Sequence, residues 1–334
     1  MTGAYHLAPR PTMDNSEQSN PSSAYQNHPG SVPGPSPARP HTAFLGLGAI
    51  GAPIARHVAS VSDLAVWNRT MKRAEEFAET TRARVAARPA DAAAGAAVLF
   101  TCLPTSREVE SVLFGDDGAA SILQPGAVVV DCTSGDPAGS RRIAERLRAR
   151  SIDFIDAPVS GGTSGAEAGT LTVMVGGDPA VLERVRPLVE SFAGKIVHCG
   201  PLGAGDAVKA VNNALLAVHI WATGEGLAAL SKMGVDPGVA LDVINASSGR
   251  SNTSMNLFPE RVLTRAFPRT FRLALLDKDT RIATDIARET RTPAELLDLT
   301  SRLLAEARKE LGEEADHMEA VRTIERRAET TIRG

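Results

Sequence analysis

The chain has few of the features that mark zinc-binding, nucleic-acid-binding or membrane proteins. Its 334 residues include only three cysteines, with no C-x-x-C pair, which argues against a structural zinc site and suits a reducing compartment. The formal net charge is −3 and the basic residues are scattered, so we expect no nucleic-acid partner. The apolar runs are short, so we expect no membrane partner. We therefore expect a cytoplasmic protein without a bound metal.

The first 41 residues differ from the rest in composition. They contain eight prolines and six serines, but only Leu7 and Val32 among the larger aliphatic residues. Such a segment buries too little apolar surface to offset the entropy lost on ordering. We predict that residues 1–41 form a disordered tail.

The remaining chain is long enough for two domains and changes character once. From Ala43 to about Gly200, apolar strand-like runs alternate with helix-like segments, which indicates a mainly parallel, doubly wound sheet. Residues 195–200 read as the last strand. After Gly205 only helical patterns follow, beginning with a helix over 206–234. The further predicted helices are 236–246, 255–265, 276–289, 294–311 and 316–329.

A glycine-rich turn follows the first predicted strand. Gly46, Gly48 and Gly51 spell G-x-G-x-x-G between a short apolar run and a helical pattern. Such a turn leaves backbone N–H groups free at a helix start, where a pyrophosphate binds well. The alternative is a glycine-rich turn that binds no ligand.

The second strand ends in the sequence WNRT, about 20 residues after the glycines. An acidic residue here would bind the adenosine 2′-hydroxyl and repel a 2′-phosphate. The chain has Asn68 instead, followed by Arg69, Thr70 and Lys72, which add donors and positive charge. We predict a preference for NADP, with NAD accepted less well. Alternatively, these side chains are ordinary surface residues.

Two later stretches carry candidate substrate groups. In DAPVSGG, the residues Ser160, Gly161 and Gly162 offer a hydroxyl and free backbone N–H groups to a carboxylate; a turn without a ligand is the alternative. In GAGDAVKAVNN, Lys209 and Asn213 are four residues apart and share one helix face. That pair could hold a carbonyl oxygen and pass it a proton, although most lysines are simply exposed.

Together these stretches resemble the β-hydroxyacid dehydrogenases, the family of 3-hydroxyisobutyrate dehydrogenase and tartronate semialdehyde reductase. The motifs are GLGAIGAPIA, DAPVSGGTSGAEAGTLTVMVGG, GAGDAVKAVNN and a late Lys-Asp pair at Lys278, in the family's order. The resemblance covers about residues 43–330. It implies an α/β fold, with a Rossmann-type NADP-binding domain over 42–203 and an all-helical substrate and oligomerisation domain over 204–334.

The resemblance also implies roles for individual residues. Lys209 matches the catalytic lysine, Asn213 a substrate-holding amide, and Ser160-Gly161-Gly162 the carboxylate-binding segment. The implied cofactor contacts are Gly46, Leu47, Gly48, Ala49, Ile50, Gly51, Asn68, Arg69, Thr70, Lys72, Leu103, Pro104, Ser134 and Lys278.

The activity implied is NADP-dependent interconversion of a small 3-hydroxy or 4-hydroxy acid and its semialdehyde, with Lys209 as the proton donor. The family's variable substrate region, SSGRSNTS (247–254), does not identify the acid. Two alternatives remain: an imine reductase, which usually lacks the lysine, and an inactive nucleotide-binding scaffold. The long apolar helix and the helices after it favour a homodimer or homotetramer.

Overall fold

The computed structural model describes residues 39–334; most of the predicted disordered tail therefore lies outside the described residues. Strands are confined to its first part, residues 41–200, called here the sheet half. The strands are β1 His41–Leu45, β2 Asp63–Trp67, β3 Arg84–Val85, β4 Val98–Thr101, β5 Val128–Asp131, β6 Asp153–Asp156, β7 Val159–Ser160, β8 Leu171–Gly176 and β9 Ala193–Gly200.

Seven helices connect these strands, and five more form the helical half, residues 204–334. The helices are α1 Gly51–Val61, α2 Met71–Glu79, α3 Pro89–Ala93, α4 Ser106–Phe114, α5 Pro137–Arg148, α6 Gly162–Ala168, α7 Pro179–Val189, α8 Ala204–Lys232, α9 Pro237–Asn245, α10 Leu273–Glu289, α11 Glu295–Leu311 and α12 Ala320–Arg327. Short 3₁₀ turns occur at Ala119–Ser121 and His317–Glu319.

The sheet confirms the predicted fold class. Its order is β3-β2-β1-β4-β5-β6-β8-β7, with β9 paired to β8. The first six strands are parallel, as alternation of strand and helix predicts. β8 runs antiparallel to β6 and β7, because only the short α6 separates β7 from β8.

Side-chain alternation along the strands builds two cores, one on each sheet face. Phe44 and Phe100 lie on one face, with ring centroids 5.9 Å apart, whereas Leu45 and Leu99 point to the other. This period of two follows from strand geometry. All four side chains are fully buried. Because β1, β4, β5 and β6 are parallel, their carboxyl ends lie at one edge of the sheet.

The helical half has its own core, and its longest helix is α8. By length and composition, α8 is apolar enough to cross a membrane, with a mean hydropathy of 1.3 over the best window. Polar residues such as Asp206, Asn213 and Glu225 interrupt this helix, so it reaches that value by average composition and not by an uninterrupted apolar run. The criterion is weak here, since core helices of soluble proteins meet it too. α8 packs against α10, α11 and α12.

One predicted helix has a different form. Residues 255–265 were expected to be an ordinary helix, but Thr253–Leu263 is π-helical. Pro259 lies inside this segment. A proline has no N–H to donate and its ring crowds the preceding turn, which disturbs the regular α-helical ladder.

Candidate active site

The glycine turn follows β1 at the carboxyl edge of the sheet. Gly46 has φ +107°, a backbone conformation that side-chain-bearing residues rarely adopt. A Cβ added there would overlap the Cys102 carbonyl oxygen, and one added at Gly51 would overlap the Gly46 carbonyl oxygen. A Cβ at Gly48 would meet nothing within 4 Å. The first and third glycines are therefore required by packing, and the second leaves open space above the turn.

The side chain of Asn68 is bound to the chain itself. Its Oδ1 accepts from the backbone N–H of Leu47 at 3.0 Å, and its Nδ2 donates to the Thr70 carbonyl at 2.9 Å. Asn68 thus ties the end of β2 to the glycine turn. Arg69 is exposed, with no ion pair within residues 39–334, whereas Lys72 lies 3.8 Å from Glu76. Of the two predicted cationic phosphate contacts, Arg69 is therefore the one without an ion pair in the described part of the chain.

Ser160, Gly161 and Gly162 lie where β7 passes into α6. Gly161 has φ +136° and Gly162 φ +66°, and the Gly161 carbonyl accepts from Gly165 N–H at 3.1 Å. Ser160 is half-buried, and both glycines are exposed. The turn therefore presents backbone to solvent, as an anion-binding turn requires.

Lys278, on α10 of the helical half, reaches the loops after β4 and β5. Its Nζ donates to the Pro104 carbonyl at 3.2 Å and to the Ser134 carbonyl. Leu103 lies beside the glycine turn, and its N–H donates to Thr133 Oγ1 at 3.0 Å. The structure therefore brings Leu103, Pro104, Ser134 and Lys278 to the sheet edge that carries the glycine turn.

Lys209 lies one turn into α8 and is buried, with 9% of its surface exposed. Burial lowers the pKa of its ammonium to about 8; the charge of Asp279 opposes this effect and that of Lys278 adds to it. Lys209 makes no ion pair of its own among the described residues. A lysine with this pKa can release and accept a proton near neutral pH.

Asn213 and Asp279 are buried, and they join the buried Lys209 and the half-buried Lys278 in one cluster. Asn213 Nδ2 donates to Asp279 Oδ2 at 2.6 Å, and Lys278 Nζ lies 3.1 Å from Asp279 Oδ1. Asp279 is 2% exposed. No role was predicted for Asp279 from the sequence, although it follows Lys278 in the motif. The one feature of the sequence that could have identified Asp279 is its place directly after Lys278, a predicted cofactor contact.

Two more buried acids fix the start of α8, and both were missed as functional residues. Asp156, at the end of β6, accepts from the N–H groups of Gly203 at 2.7 Å and Asp206 at 2.9 Å. Asp206 accepts from Gly135 N–H at 3.1 Å and from the Ser140 hydroxyl at 2.6 Å. Asp156 is part of DAPVSGG and Asp206 is part of GAGDAVKAVNN, so their places in these two motifs could have identified them. Together they attach the lysine-bearing helix to the DAPVSGG strand.

Burial raises the pKa of all three acids near this junction. Burial raises that of Asp131, at the end of β5, to about 6, although hydrogen bonds from Thr133 and Thr101 oppose it. Burial also raises the pKa values of Asp156 and Asp206, and the charges of Asp156 and Asp131 add to the rise at Asp206. The junction is therefore a crowded acidic site held together by backbone N–H donors.

Comparison with known proteins gives matches along nearly all of the described chain. The family model "NAD binding domain of 6-phosphogluconate dehydrogenase" matches residues 41–200. The model "NAD-binding of NADP-dependent 3-hydroxyisobutyrate dehydrogenase" matches residues 203–324. Together the two matches span both halves of the molecule and leave only a two-residue gap between them.

Individual relatives agree with these family matches. The 2-(hydroxymethyl)glutarate dehydrogenase of Eubacterium barkeri is 35% identical over 285 residues, covering 83% of this chain and 92% of that protein. The 3-hydroxyisobutyrate dehydrogenase of Pseudomonas aeruginosa is 35% identical, covering 72% and 83%. The solved structure of 3-hydroxyisobutyrate dehydrogenase from Mycobacterium tuberculosis with L-serine has a TM-score of 0.78 at 30% identity, covering 86% and 99%.

Proposed function

The chain belongs to the β-hydroxyacid dehydrogenase family and is an NAD(P)-dependent oxidoreductase, and from that premise we propose that it interconverts a small 3-hydroxy or 4-hydroxy acid and its semialdehyde with NADP. The observation that carries this proposal is the buried Lys209 beside the contacts that join Asn213, Asp279 and Lys278 to the loop after β4. The relatives named above act, by their names, on 3-hydroxy acids, which supports the same substrate class here.

The residues of the glycine turn fit a dinucleotide. The positive φ of Gly46 and the open space above Gly48 leave the backbone accessible to a pyrophosphate. We assign cofactor contacts to Gly46, Leu47, Gly48, Ala49, Ile50, Gly51, Leu103, Pro104, Ser134 and Lys278. The nicotinamide, when bound, supplies or accepts the hydride.

The chain's own residues hold the substrate and move its proton. Ser160, Gly161 and Gly162 bind the carboxylate through the serine hydroxyl and backbone N–H groups. Asn213 orients the reacting oxygen, and Lys209 Nζ gives that oxygen a proton during reduction. During oxidation the neutral amine of Lys209 takes the proton from the hydroxyl group. A pKa of about 8 allows both directions near neutral pH.

The preference for NADP over NAD belongs to this proposal. Arg69 is exposed and free of ion pairs within the described residues, and no acid stands at the end of β2 to repel a 2′-phosphate. The Asn68 Oδ1 accepts from the Leu47 N–H, so Asn68 acts by fixing the shape of the glycine turn and not by binding the ribose directly. Thr70 and Lys72 lie next along the chain and complete the phosphate-side contacts.

The alternatives make different demands on Lys209. An imine reductase or an inactive scaffold has no need of a buried lysine with a lowered pKa, so the environment of Lys209 supports the dehydrogenase. The test is an NADPH oxidation screen against short semialdehydes and 2-oxo acids, with cyclic imines in parallel. We expect turnover of a carboxylate-bearing aldehyde. Turnover of imines alone would overturn the proposal, as would NADPH binding without any turnover.

We also propose that the protein is a homo-oligomer whose subunits meet along α8. Val208, Val211 and Leu215 lie on one face of this helix and are 45%, 40% and 48% exposed. An apolar stripe of this kind on a helix is typical of a subunit contact. Light scattering after size-exclusion chromatography should give a dimer or tetramer. Leu215→Glu should lower that mass, and an unchanged mass would place the contact elsewhere.

A further inference from the structure

Asp279 is the one carboxylate within the cluster that contains Lys209. Its two oxygens serve two different partners: Oδ2 accepts from Asn213 on α8, and Oδ1 faces the ammonium of Lys278 on α10. With 2% of its surface exposed, it has little water to solvate its charge. A buried carboxylate in such a place depends on these partners, and they in turn depend on it.

We propose that Asp279 is a positioning residue for the reaction: it fixes the Asn213 amide and the Lys278 ammonium, and it supplies the negative charge that keeps Lys209 able to carry a proton. This inference rests on the proposed function, because the roles of Asn213 and Lys278 come from it. Asp279 itself touches neither substrate nor cofactor in this scheme.

The first part of the proposal is the orientation of Asn213. An amide group has two N–H donors and one acceptor oxygen. Asp279 takes one N–H, and Asn212 Nδ2 donates to Asn213 Oδ1 at 3.1 Å. The amide is therefore held from both ends, and among residues 39–334 one of its N–H groups has no partner. Asp279 decides which way that remaining donor points, and the donor is the group available for a substrate oxygen.

The second part is the link to the cofactor side of the site. Lys278 contacts Asp279 and also the carbonyls of Pro104 and Ser134. Ala210, Ala214 and Ala283 form a small buried cluster where α8 meets α10, and such small side chains let two helices approach closely. Asp279 thus connects the lysine-bearing helix to the loops after β4 and β5 through one further side chain.

The third part is electrostatic. Lys209 lies one turn before Asn213 on the same face of α8, and Asn213 contacts Asp279, which in turn contacts Lys278. Asp279 and Lys278, both on α10, are therefore the charged groups nearest the Lys209 amine, and both affect its pKa. Asp206, on its own helix, is bound to Gly135 and Ser140, and Asp156 and Asp131 lie at strand ends with donors of their own. From α11, Arg308 pairs with Asp277. Without Asp279, two ammonium groups would share the buried site without a counter-charge, which favours loss of the Lys209 proton.

The chain offers a matched control on the same helix. Asp277 is also 2% exposed, but it pairs with Arg308 at 2.9 Å and Arg281 at 3.2 Å instead of with the lysines. Asp277→Asn and Asp279→Asn therefore make the same chemical change at the same depth on α10. Only the second removes a charge that faces Lys209.

The pKa of Lys209 can be measured without any substrate. The chain has six lysines, so reductive methylation with ¹³C-formaldehyde gives few NMR signals, and Lys209→Arg identifies the one from Lys209. In Asp279→Asn we expect the pKa of Lys209 to fall by about 1 or more, and in Asp277→Asn to stay at the wild-type value. An unchanged value in Asp279→Asn, or an equal fall in both variants, would overturn the proposal.

The activity measurement then separates this inference from the proposed function. With the best hydroxy acid, the rate of oxidation should rise through the pKa of Lys209, and that limb should move to lower pH in Asp279→Asn. The maximal rate should also drop about 100-fold, since Asn213 and Lys278 lose their fixed geometry. If wild type turns over no hydroxy acid while the NMR shift appears, the proposed function fails and the charge role of Asp279 stands.

A second variant covers the case in which Asp279→Asn does not fold. Lys278 lowers the pKa of Lys209, so Lys278→Met should raise it, the opposite sign to Asp279→Asn. Circular dichroism would report folding for each protein. A Lys209 pKa that does not rise in a folded Lys278→Met variant would show that these side chains do not interact as a cluster, and the proposal would fail.

Discussion

The sheet half and the helical half build their parts of the site from different materials. At the sheet edge, the candidate binding groups are glycines and backbone N–H groups in the turns around Gly46 and Gly161. Both of these glycines have a positive φ. In the helical half, the candidate functional groups are charged side chains, and those of Lys209 and Asp279 are almost fully buried. The first surface is open, whereas the second lies between packed helices.

This difference follows from what each surface has to do. Binding an anion needs only dipoles aimed at it, and a glycine turn supplies them without burying a charge. Moving a proton near neutral pH needs a group whose pKa has been changed, which requires burial and controlled neighbouring charge. Substitutions should therefore act differently in the two halves: on the affinity for cofactor or substrate in the first, and on turnover and pH dependence in the second.

The largest expected effect is on turnover in Lys209→Ala. If Lys209 transfers the proton, kcat should fall by about 10²–10⁴-fold. The affinity for NADPH, measured by fluorescence titration, should stay close to wild type, because the glycine turn lies in the sheet half. Lys209→Arg should restore little, since a guanidinium stays protonated at every working pH. Near-normal kcat in Lys209→Ala would mean that another group carries the proton.

Burial of Lys209 should also cost stability. Its pKa falls from 10.5 to about 8 in the folded protein, so the folded state carries a penalty that is fully present below pH 8 and disappears as pH rises to about 10.5. Lys209→Met should therefore stabilise the protein by about 3 kcal/mol at pH 7. Thermal unfolding at several pH values tests this, and the gain should shrink above pH 8. A variant less stable than wild type at pH 7 contradicts it.

In the sheet half, Gly46→Ala and Gly48→Ala should separate packing from binding. A Cβ at Gly46 meets the Cys102 carbonyl and requires φ +107°, so that variant should lose roughly 1–3 kcal/mol of stability and also bind NADPH more weakly. A Cβ at Gly48 meets nothing within 4 Å, so Gly48→Ala should keep its melting temperature and lose only cofactor affinity. Equal cofactor affinity in wild type and Gly48→Ala would show that no ligand approaches this turn.

The smallest of these effects concerns the choice of cofactor. Arg69→Ala should weaken NADPH binding by about tenfold and leave NADH binding nearly unchanged, because a charge-assisted bond to the 2′-phosphate is lost. Lys72→Ala is the control, since that side chain already faces Glu76 at 3.8 Å and should matter less. Equal losses for both dinucleotides in Arg69→Ala would remove the argument for NADP.

Local patterns were sufficient to predict the sheet and the main helices. The run before Gly46 and the helical spacing after Gly51 set β1 and α1, because both depend on neighbouring residues alone. The reversed direction of β8 was not predicted, since the direction of a strand depends on which strands it pairs with in the sheet. The π-helical turns near Pro259 were missed for a similar reason: spacing identifies a helix but not its width.

The candidate site divides in the same way. Lys209 and Asn213 could be paired from their spacing, because helix geometry places residues four apart on one face. The partner of Asn213 could not, because Asp279 lies 66 positions later and meets it only when α10 packs on α8. Asn68 was assigned to the cofactor side by its position, yet its amide is bound to Leu47 across the turn. Side chains that act through folded contacts leave little trace in local sequence.

The carboxylate of Asp156 has a consequence for building hybrid enzymes. It accepts its hydrogen bonds from the main-chain N–H groups of Gly203 and Asp206. Gly203 has φ +90°, and the Asp206 carboxylate accepts from Gly135 and Ser140, so the joint requires a glycine and an acid at these two positions. A Cβ at Gly205 would also overlap the Met174 carbonyl oxygen, so a donor segment needs the G-x-G-D pattern over residues 203–206. Helical segments from related enzymes that carry this pattern could be spliced in just before residue 203 and still start in the right place. The reactive lysine of the inserted segment would then lie beside the Ser160-Gly161-Gly162 turn of this protein. Exchanging helical halves between relatives could therefore produce enzymes with new combinations of substrate-binding residues.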